Sequence, residues 1–507
     1  MHLILVVTAA VSLISPAWAA APINATAVCQ EIAQKLSNAS AVFYPGAYGL
    51  VYAADIFHHS ASSSTQESVC SVEPGTAQDV ARILQLVGST RTPFAVKGGG
   101  HSWNPGFSST PGIQIAMTRF NTVAYSKTSQ YQRQAPNGVV TFGAGMVWND
   151  IYAALDPLNI TVVGGRVVGV GAAGFLLGGG YSFFSNQYGM AVDNILAFDI
   201  VQPNGTESVV TASSDPNLFW ALKGGLNNFG IVTAFTMRAI PYTRVWGALV
   251  AHVNATEAYK DAFEVFNATS TDPKAAMLFG LNGIGGQSIQ YAVMFYDGPE
   301  QPAGIYDAFL NIPSALVNSN GTFTMSGLLA AVNVGGLLSG GTGDQPRGQS
   351  GIVLIETYTP EIIDTVINEI SINSGLLANS SSAGFGFSIE PFSPGYLTRT
   401  DPLRTSDSAF PPTWTRPYSA SLCNLGFEWA GAANDAANLA ALQGSVDRIQ
   451  AAETKQSGMT LPTYSNLALA DTPVEQLFGA LNLARLTAIA KRVDPGKVMQ
   501  LAGGFKV

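Results

Sequence analysis

Charge is what this chain has least of. Only 11% of its 507 residues are Asp, Glu, Lys or Arg, against about 25% in ordinary globular proteins. With 24 basic and 33 acidic residues the formal net charge is −9. That excludes nucleic acid and anionic membrane surfaces as principal partners. Cysteine (three) and histidine (five) are few and scattered. No Cys-x-x-Cys pair or His/Cys cluster occurs, so no metal centre is expected. Long apolar runs are missing beyond the N-terminus, so no membrane span is expected either. The run at the N-terminus, Leu3–Ile14, is too short to cross a bilayer. Ala17-Trp18-Ala19 follows it as a small-x-small cleavage site, so residues 1–19 read as a secretory signal.

What the chain has instead is glycine (53 residues) and a hydrophobic fraction of 47%, enough for more than one large core. Polar surface must come from Ser, Thr, Asn and Gly, and from sugars. Asn-x-Ser/Thr sequons stand at Asn24, Asn38, Asn159, Asn204, Asn254, Asn267, Asn320 and Asn379. They fit a glycosylated, exported protein. In that oxidising setting a Cys29–Cys70 bridge is expected, pinning the N-terminal arm to the first domain. Cys423, in an apolar alternating run, reads as a buried thiol.

The glycines are concentrated. In Thr92–Phe107 a short apolar run, Phe94–Val96, breaks into Gly98-Gly99-Gly100-His101-Ser102. Consecutive glycines let backbone N–H groups turn inward and approach a ligand, which suits an anion such as a pyrophosphate. A histidine there would stand beside whatever the loop holds; the bland alternative is a solvated turn. A second dense stretch, Val162–Asn194, contains Gly169-x-Gly171-x-x-Gly174 and the triplet Gly178-Gly179-Gly180. The spacing tempts a dinucleotide-fold reading with Asp193 as the ribose acid. The triplet interrupts the helix that reading needs, so these glycines are better used to lay backbone flat against a large planar ligand.

Around these loops the periodicity alternates strands and helices. Strands are expected at Ser68–Val72, Phe94–Val96, Ile113–Met117, Val139–Phe142 and Ile195–Gln202, and a helix at Ala77–Val87 capped by Thr76. From Trp246 the glycine clusters thin. Strands at 247–253, 288–295, 351–357, 384–389 and 419–429 then alternate with helices, suggesting an antiparallel sheet with helices on one side. Pro473–Arg492 reads as a terminal helix. The expected fold class is α+β.

In their order and spacing these residues resemble the secreted fungal, berberine-bridge-enzyme-like branch of the vanillyl-alcohol-oxidase / p-cresol-methylhydroxylase flavoproteins. The resemblance rests on Lys97–Ser102, Gly164–Gly171 with Gly178–Gly180, Tyr188-Gly189 with Asp193-Asn194, Leu222–Gly225 with Asn228–Gly230, and the tail from Ala490 to Lys506. It implies an FAD-binding domain of the PCMH type split in sequence (20–244, completed by 458–507) around a substrate domain (245–457). It implies FAD joined covalently through His101. Gly98, Gly99, Gly100 and Ser102 would wrap the pyrophosphate, with Gly145, Gly169, Gly171, Gly174, Gly179, Gly230 and Val232 as further contacts. Ala172 matches the small residue that admits oxygen in relatives.

Two departures stand out. Where many relatives carry a second, cysteine anchor, this chain has Val167, so single attachment is expected. The Tyr-x-Asn-Tyr-type motif is here Tyr464-Ser465-Asn466-Leu467, which makes Tyr464 the candidate base, with Lys97 as a conceivable cation for it. On the strand 419–429, alternation puts Asn424 and Glu428 on one face, where they could meet substrate, although a solvated strand end is the plainer use for Glu428. His58 and His59 read as surface residues, and Tyr396 and Arg399 as residues of a loop at the pocket or the surface. The function implied is a secreted FAD oxidase acting with O2 on an alcohol or related C–H centre and releasing H2O2. A dehydrogenase or oxidative cyclase of secondary metabolism and an oligosaccharide oxidase are the alternatives.

Overall fold

The computed structural model describes residues 24–46, 49–284, 286–333, 346–378, 382–397, 407–412 and 420–507. The signal segment, Asn379 and Arg399 lie outside them. Among the described residues no helix is long and apolar enough to cross a membrane, and no group of His, Cys, Asp and Glu is placed to hold a metal ion.

The first half builds two sheets. A four-stranded one runs in the order Ala41–Phe43, Cys70–Glu73, Ile113–Ala116, Phe94–Lys97, its last two pairings parallel. The helix Ala77–Thr90 packs by its apolar stripe of Val80, Ile83, Leu84 and Val87, all fully buried, and Thr76 caps it by accepting the Asp79 N–H. Cys29 and Cys70 form the expected disulfide. A five-stranded antiparallel sheet follows, in the order Val123–Ser126, Val139–Gly143, Ile231–Arg238, Ile195–Val201, Glu207–Thr211. Such sheets are not the parallel βαβ unit of a dinucleotide fold, and the helix after Gly171 has only six residues, Ala172–Leu177.

The second half is one seven-stranded sheet in which every pairing is antiparallel. Alternation gives it two different faces. Ala248, Val250, Met277, Phe279, Phe387, Cys423, Leu425 and Phe427 join one core with the helices Thr256–Thr269, Pro360–Leu376 and Asp435–Ser457. Leu249, Ala251, Tyr291, Val293, Ile352, Leu354 and Leu422 point the other way and join the core of the first half. The sheet thus lies over the glycine-rich half. Two of its strands, Ala275–Ile284 and Val317–Phe323, were not expected from the sequence. The C-terminal tail returns to the first half: Ala502 bridges Phe94, and Asn227 and Asn228 donate side-chain hydrogen bonds to the carbonyls of Gly503 and Phe505.

Candidate active site

The edge strand Phe94–Lys97 delivers the first glycine loop to the middle of the molecule. There it crosses the second glycine stretch backbone to backbone. A Cβ placed on Gly171 would stand 2.4 Å from the Gly99 nitrogen, and one on Gly99 would stand 2.5 Å from the Gly171 nitrogen. Neither site tolerates a side chain. Gly98 closes the junction from beside, its would-be Cβ 3.2 Å from the Ala144 carbonyl oxygen. Gly100, at φ +69°, is packed on the Lys97 stem. Next to this crossing the glycines open outward. A Cβ on Gly169 (φ +83°) or on Gly174 would meet nothing within 4 Å. Val167 is 44% exposed, so the position where the resemblance would place a second anchor faces open space and carries no thiol.

At other expected contact positions a Cβ would meet neighbouring protein atoms. A Cβ on Gly145 would strike the Met117 carbonyl at 2.1 Å, and one on Gly230 (φ +137°) the Val201 carbonyl at 2.3 Å. Gly179 (φ +118°) is wedged against Met190 and Phe410, and Val232 is buried in its strand. Ala172 is fully buried in the first-half core, while a Cβ on its neighbours Gly169 or Gly174 would face open space.

His101 leaves the loop half-buried, its imidazole stacked on that of His59 at 4.1 Å with 14° between the planes. Trp103 meets His59 edge-on at 4.6 Å. Burial, with the neighbouring His59 second, pushes His101 down to about 3. It is therefore a neutral imidazole with a nucleophilic nitrogen at physiological pH. His58 is no surface residue: it is fully buried, its ring nitrogens 2.7 Å from the Ile56 oxygen and 3.0 Å from the Ser108 oxygen. His59 is exposed, but onto this cleft. Nothing in the sequence pairs His59 with a residue 42 positions on.

The candidate base, Tyr464, is deeply packed. Tyr464 is only 4% exposed, packed against Tyr181 at 4.9 Å and Phe410 at 5.5 Å, and its oxygen accepts from Asn466 Nδ2 at 2.9 Å. Burial raises it to about 12, so it is a poor base in a well-packed site. Lys97 does not face it. The Lys97 ammonium donates to the Ala54 carbonyl at 2.8 Å, and burial brings it down to about 8. Tyr396 is fully buried, stacked on Phe392 at 5.0 Å.

The sheet over the cleft offers a better candidate. Strand register puts Glu428 opposite Gly348, Gly426 opposite Ser350 and Asn424 opposite Ile352, all on the face turned to the glycine loops. Trp103 lies over Gly348, whose would-be Cβ is 2.2 Å from the indole. That ties the Glu428 end of the strand to the His101 loop. Burial raises the Glu428 carboxyl to about 7, the range of a working acid–base group. Asn424, an amide, has no proton to exchange in this range and can only hydrogen-bond. At the other end of the face, Glu390 is locked to Arg166 of the second glycine stretch at 2.5 Å, both largely buried.

The comparisons with known proteins agree with this geometry. A family profile described as an FAD binding domain matches residues 69–211. An FAD-dependent monooxygenase of Fusarium proliferatum is 32% identical over 459 residues, spanning 86% of this chain and 84% of that one. The chain belongs to the FAD-dependent oxidoreductases. A second relative of this group, an FAD-dependent monooxygenase of Cochliobolus heterostrophus, is 30% identical over 90% of this chain and 87% of that one. Among solved structures, Physcomitrella patens BBE-like 1 has the same fold, with a TM-score of 0.74 at 18% identity over 93% of this chain and 97% of that one. The residues present fit FAD. Two side-chain-free backbones cross at close approach, Gly169 and Gly174 leave open space beside them, and a neutral imidazole stands at the edge, a set of backbone N–H groups and a ring that suits a pyrophosphate-bearing flavin.

Proposed function

We propose that this FAD-linked oxidoreductase is a secreted oxidase whose flavin is held by one covalent bond, through His101, and which oxidises an alcohol or a related C–H centre. The observation that carries the reading is the neutral, half-buried His101 at the crossing of the two glycine loops, with no thiol at Val167. Bound FAD supplies the hydride acceptor and the path of two electrons to dioxygen, released as H2O2. Glu428 takes the proton from the substrate O–H, since its raised carboxyl changes state near neutral pH. Asn424 fixes the substrate beside it by hydrogen bonding. The Arg166–Glu390 pair holds the second glycine stretch to the substrate sheet, so that loop and sheet keep one spacing. Export is supported by the Cys29–Cys70 bridge and by exposure of the asparagine in all seven described sequons.

The test is direct. Purified protein is expected to be yellow, with flavin fluorescence that stays with the polypeptide on a denaturing gel and is lost in His101→Ala. Fluorescence that washes off the unfolded wild-type chain would rule out the covalent bond. The printed names of the fungal relatives favour a second reading, a monooxygenase. Turnover in 18O-labelled dioxygen separates the two: label in peroxide supports the oxidase, label in product the monooxygenase.

A further inference from the structure

The seven-stranded sheet ends in two edges, and the chain treats them differently. One edge is Arg347–Ile355, which pairs with Ser421–Trp429 on its inner side. Its outer side is covered by protein. The Ala61 N–H donates to the Pro346 carbonyl at 3.0 Å. Ser60 Oγ accepts from the Gly348 N–H at 3.1 Å and donates to its carbonyl at 3.2 Å, and Ser350 Oγ donates to the Leu467 carbonyl at 3.4 Å. The other edge is Val317–Phe323, paired along its whole length with residues 245–251. Among the described residues it makes no backbone hydrogen bond outside that ladder.

An edge left bare is a template for pairing with another chain. Proteins blunt such edges by short length, charge, proline, a bulge or a covering segment. Val317–Phe323 has seven residues, none charged and none proline, and its register runs without a bulge. Asn318, Asn320 and Thr322 are exposed, and Leu316, just before the strand, is 58% exposed. What the strand carries instead, at its middle, is the sequon Asn320-Gly321-Thr322.

Register sets Asn320 opposite Ala248 and Asn318 opposite Val250, so both project on the helix-bearing face of the sheet. The Asn320 Nδ2 atom, where an oligosaccharide is attached, donates to Asn318 Oδ1 at 3.0 Å in an exposed contact. Antiparallel pairing of this edge with the same edge of a second copy would relate the copies by a two-fold axis normal to the sheet. Both Asn320 residues would then stand on one face, and in the register centred on them they would lie about 5 Å apart. Two oligosaccharides cannot share that space.

We infer that Asn320 is an N-glycosylation site whose oligosaccharide keeps the edge strand Val317–Phe323 from pairing with a second copy of the chain. The inference rests on the reading that the protein is exported, and it concerns this surface and not the flavin cleft.

Holoenzyme secreted from a eukaryotic host tests it. Peptide mass spectrometry is expected to find Asn320 occupied, and light scattering of the wild type sets the reference mass. Asn320→Gln and Thr322→Ala each remove the sequon and are expected to raise the scattering mass about twofold at unchanged flavin content. Adding Asn318→Lys to Asn320→Gln puts a charge on the same edge and is expected to restore the reference mass. Thr269→Ala, which removes the sequon of Asn267 on the helix Thr256–Thr269, is expected to leave the mass unchanged. A bare Asn320 in a chain glycosylated elsewhere, an unchanged mass in both sequon variants, or an equal rise in Thr269→Ala would each overturn the inference. A chain that stays in the cell and carries no N-glycan at any sequon would overturn the export reading beneath it, and the peptide map separates that failure from loss of the Asn320 site alone.

Discussion

Replacing Glu428 by glutamine tests the base and the burial argument in one variant. The carboxyl is displaced from 4.5 to about 7 because folding buries it. Between those values the unfolded chain has lost this proton and the folded chain still holds it. The native state therefore binds the extra proton, and stability falls as pH rises from about 4.5 through about 7. A displacement of this size corresponds to about 3 kcal/mol, or about 2 after allowing for the group's partial exposure. Glutamine keeps the shape and removes the titration. The difference in unfolding free energy between variant and wild type, from denaturant melts of matched flavin content, is expected to grow in the variant's favour by about 2–3 kcal/mol between pH 4 and pH 8. Catalysis should move the opposite way. Single-turnover flavin reduction in the wild type is expected to rise with pH and level off above about 7, and the variant to lose about 10²–10⁴-fold and that pH dependence together. A stability difference that does not change with pH would refute the burial argument. A variant that keeps the wild-type pH profile of flavin reduction would refute Glu428 as the base.

Other consequences of the same geometry can be measured in parallel. Gly171→Ala sets a Cβ 2.4 Å from the Gly99 backbone, and is expected to cost about 1–3 kcal/mol and to leave the purified protein largely colourless. Gly174→Ala meets nothing in the apoprotein and lies in a helix, so it is expected to stabilise the apoprotein by about 0.5–1 kcal/mol while lowering flavin content. Arg166→Met strands the buried Glu390 carboxylate, with an expected loss of about 3–5 kcal/mol in denaturant unfolding, most of it recovered on adding Glu390→Gln. Cys70→Ser opens the loop across 41 residues and is expected to cost about 3–4 kcal/mol in the same assay.

What the sequence made legible is what backbone geometry dictates. Gly98–Gly100, Gly169–Gly174 and Gly178–Gly180 stand out because a Cβ is intolerable or unwanted there, and only one residue type satisfies that. Thr76, three residues before Asp79 and ahead of an apolar stripe, announced its helix by local chemistry alone. The failures have a different origin. Val317–Phe323 reads Asn-Ser-Asn-Gly in its middle and pairs as an edge strand through its backbone, so side-chain pattern could not reveal it. His59 acquires meaning only from a ring 42 residues away. For Glu428 the sequence offers a solvated strand end as the plainer use, because alternation shows which face a residue takes and not what covers that face. Tyr464 and Ala172 were placed by position in a motif, and their burial is set by contacts with Tyr181, Phe410 and the first-half core that no short motif encodes.

The scarcity of charge and the design of the cleft are connected. Several of the chain's few ions are spent on internal fastening: Arg448 on Glu369, Arg347 on Asp435, Arg166 on Glu390. The last of these is decisive for the site. Arg166 precedes Val167, so the second glycine stretch is fastened to the seven-stranded sheet through a charge pair that burial makes expensive to break. With Glu390 neutralised in this way, this face of the sheet is left with amides, hydroxyls, rings and one carboxyl, Glu428, that changes state near neutral pH. Long-range charge cannot select a ligand on such a surface. Selection must come from shape and from hydrogen bonding, because a polar group left unmatched on binding penalises a ligand far more than a matched one rewards it.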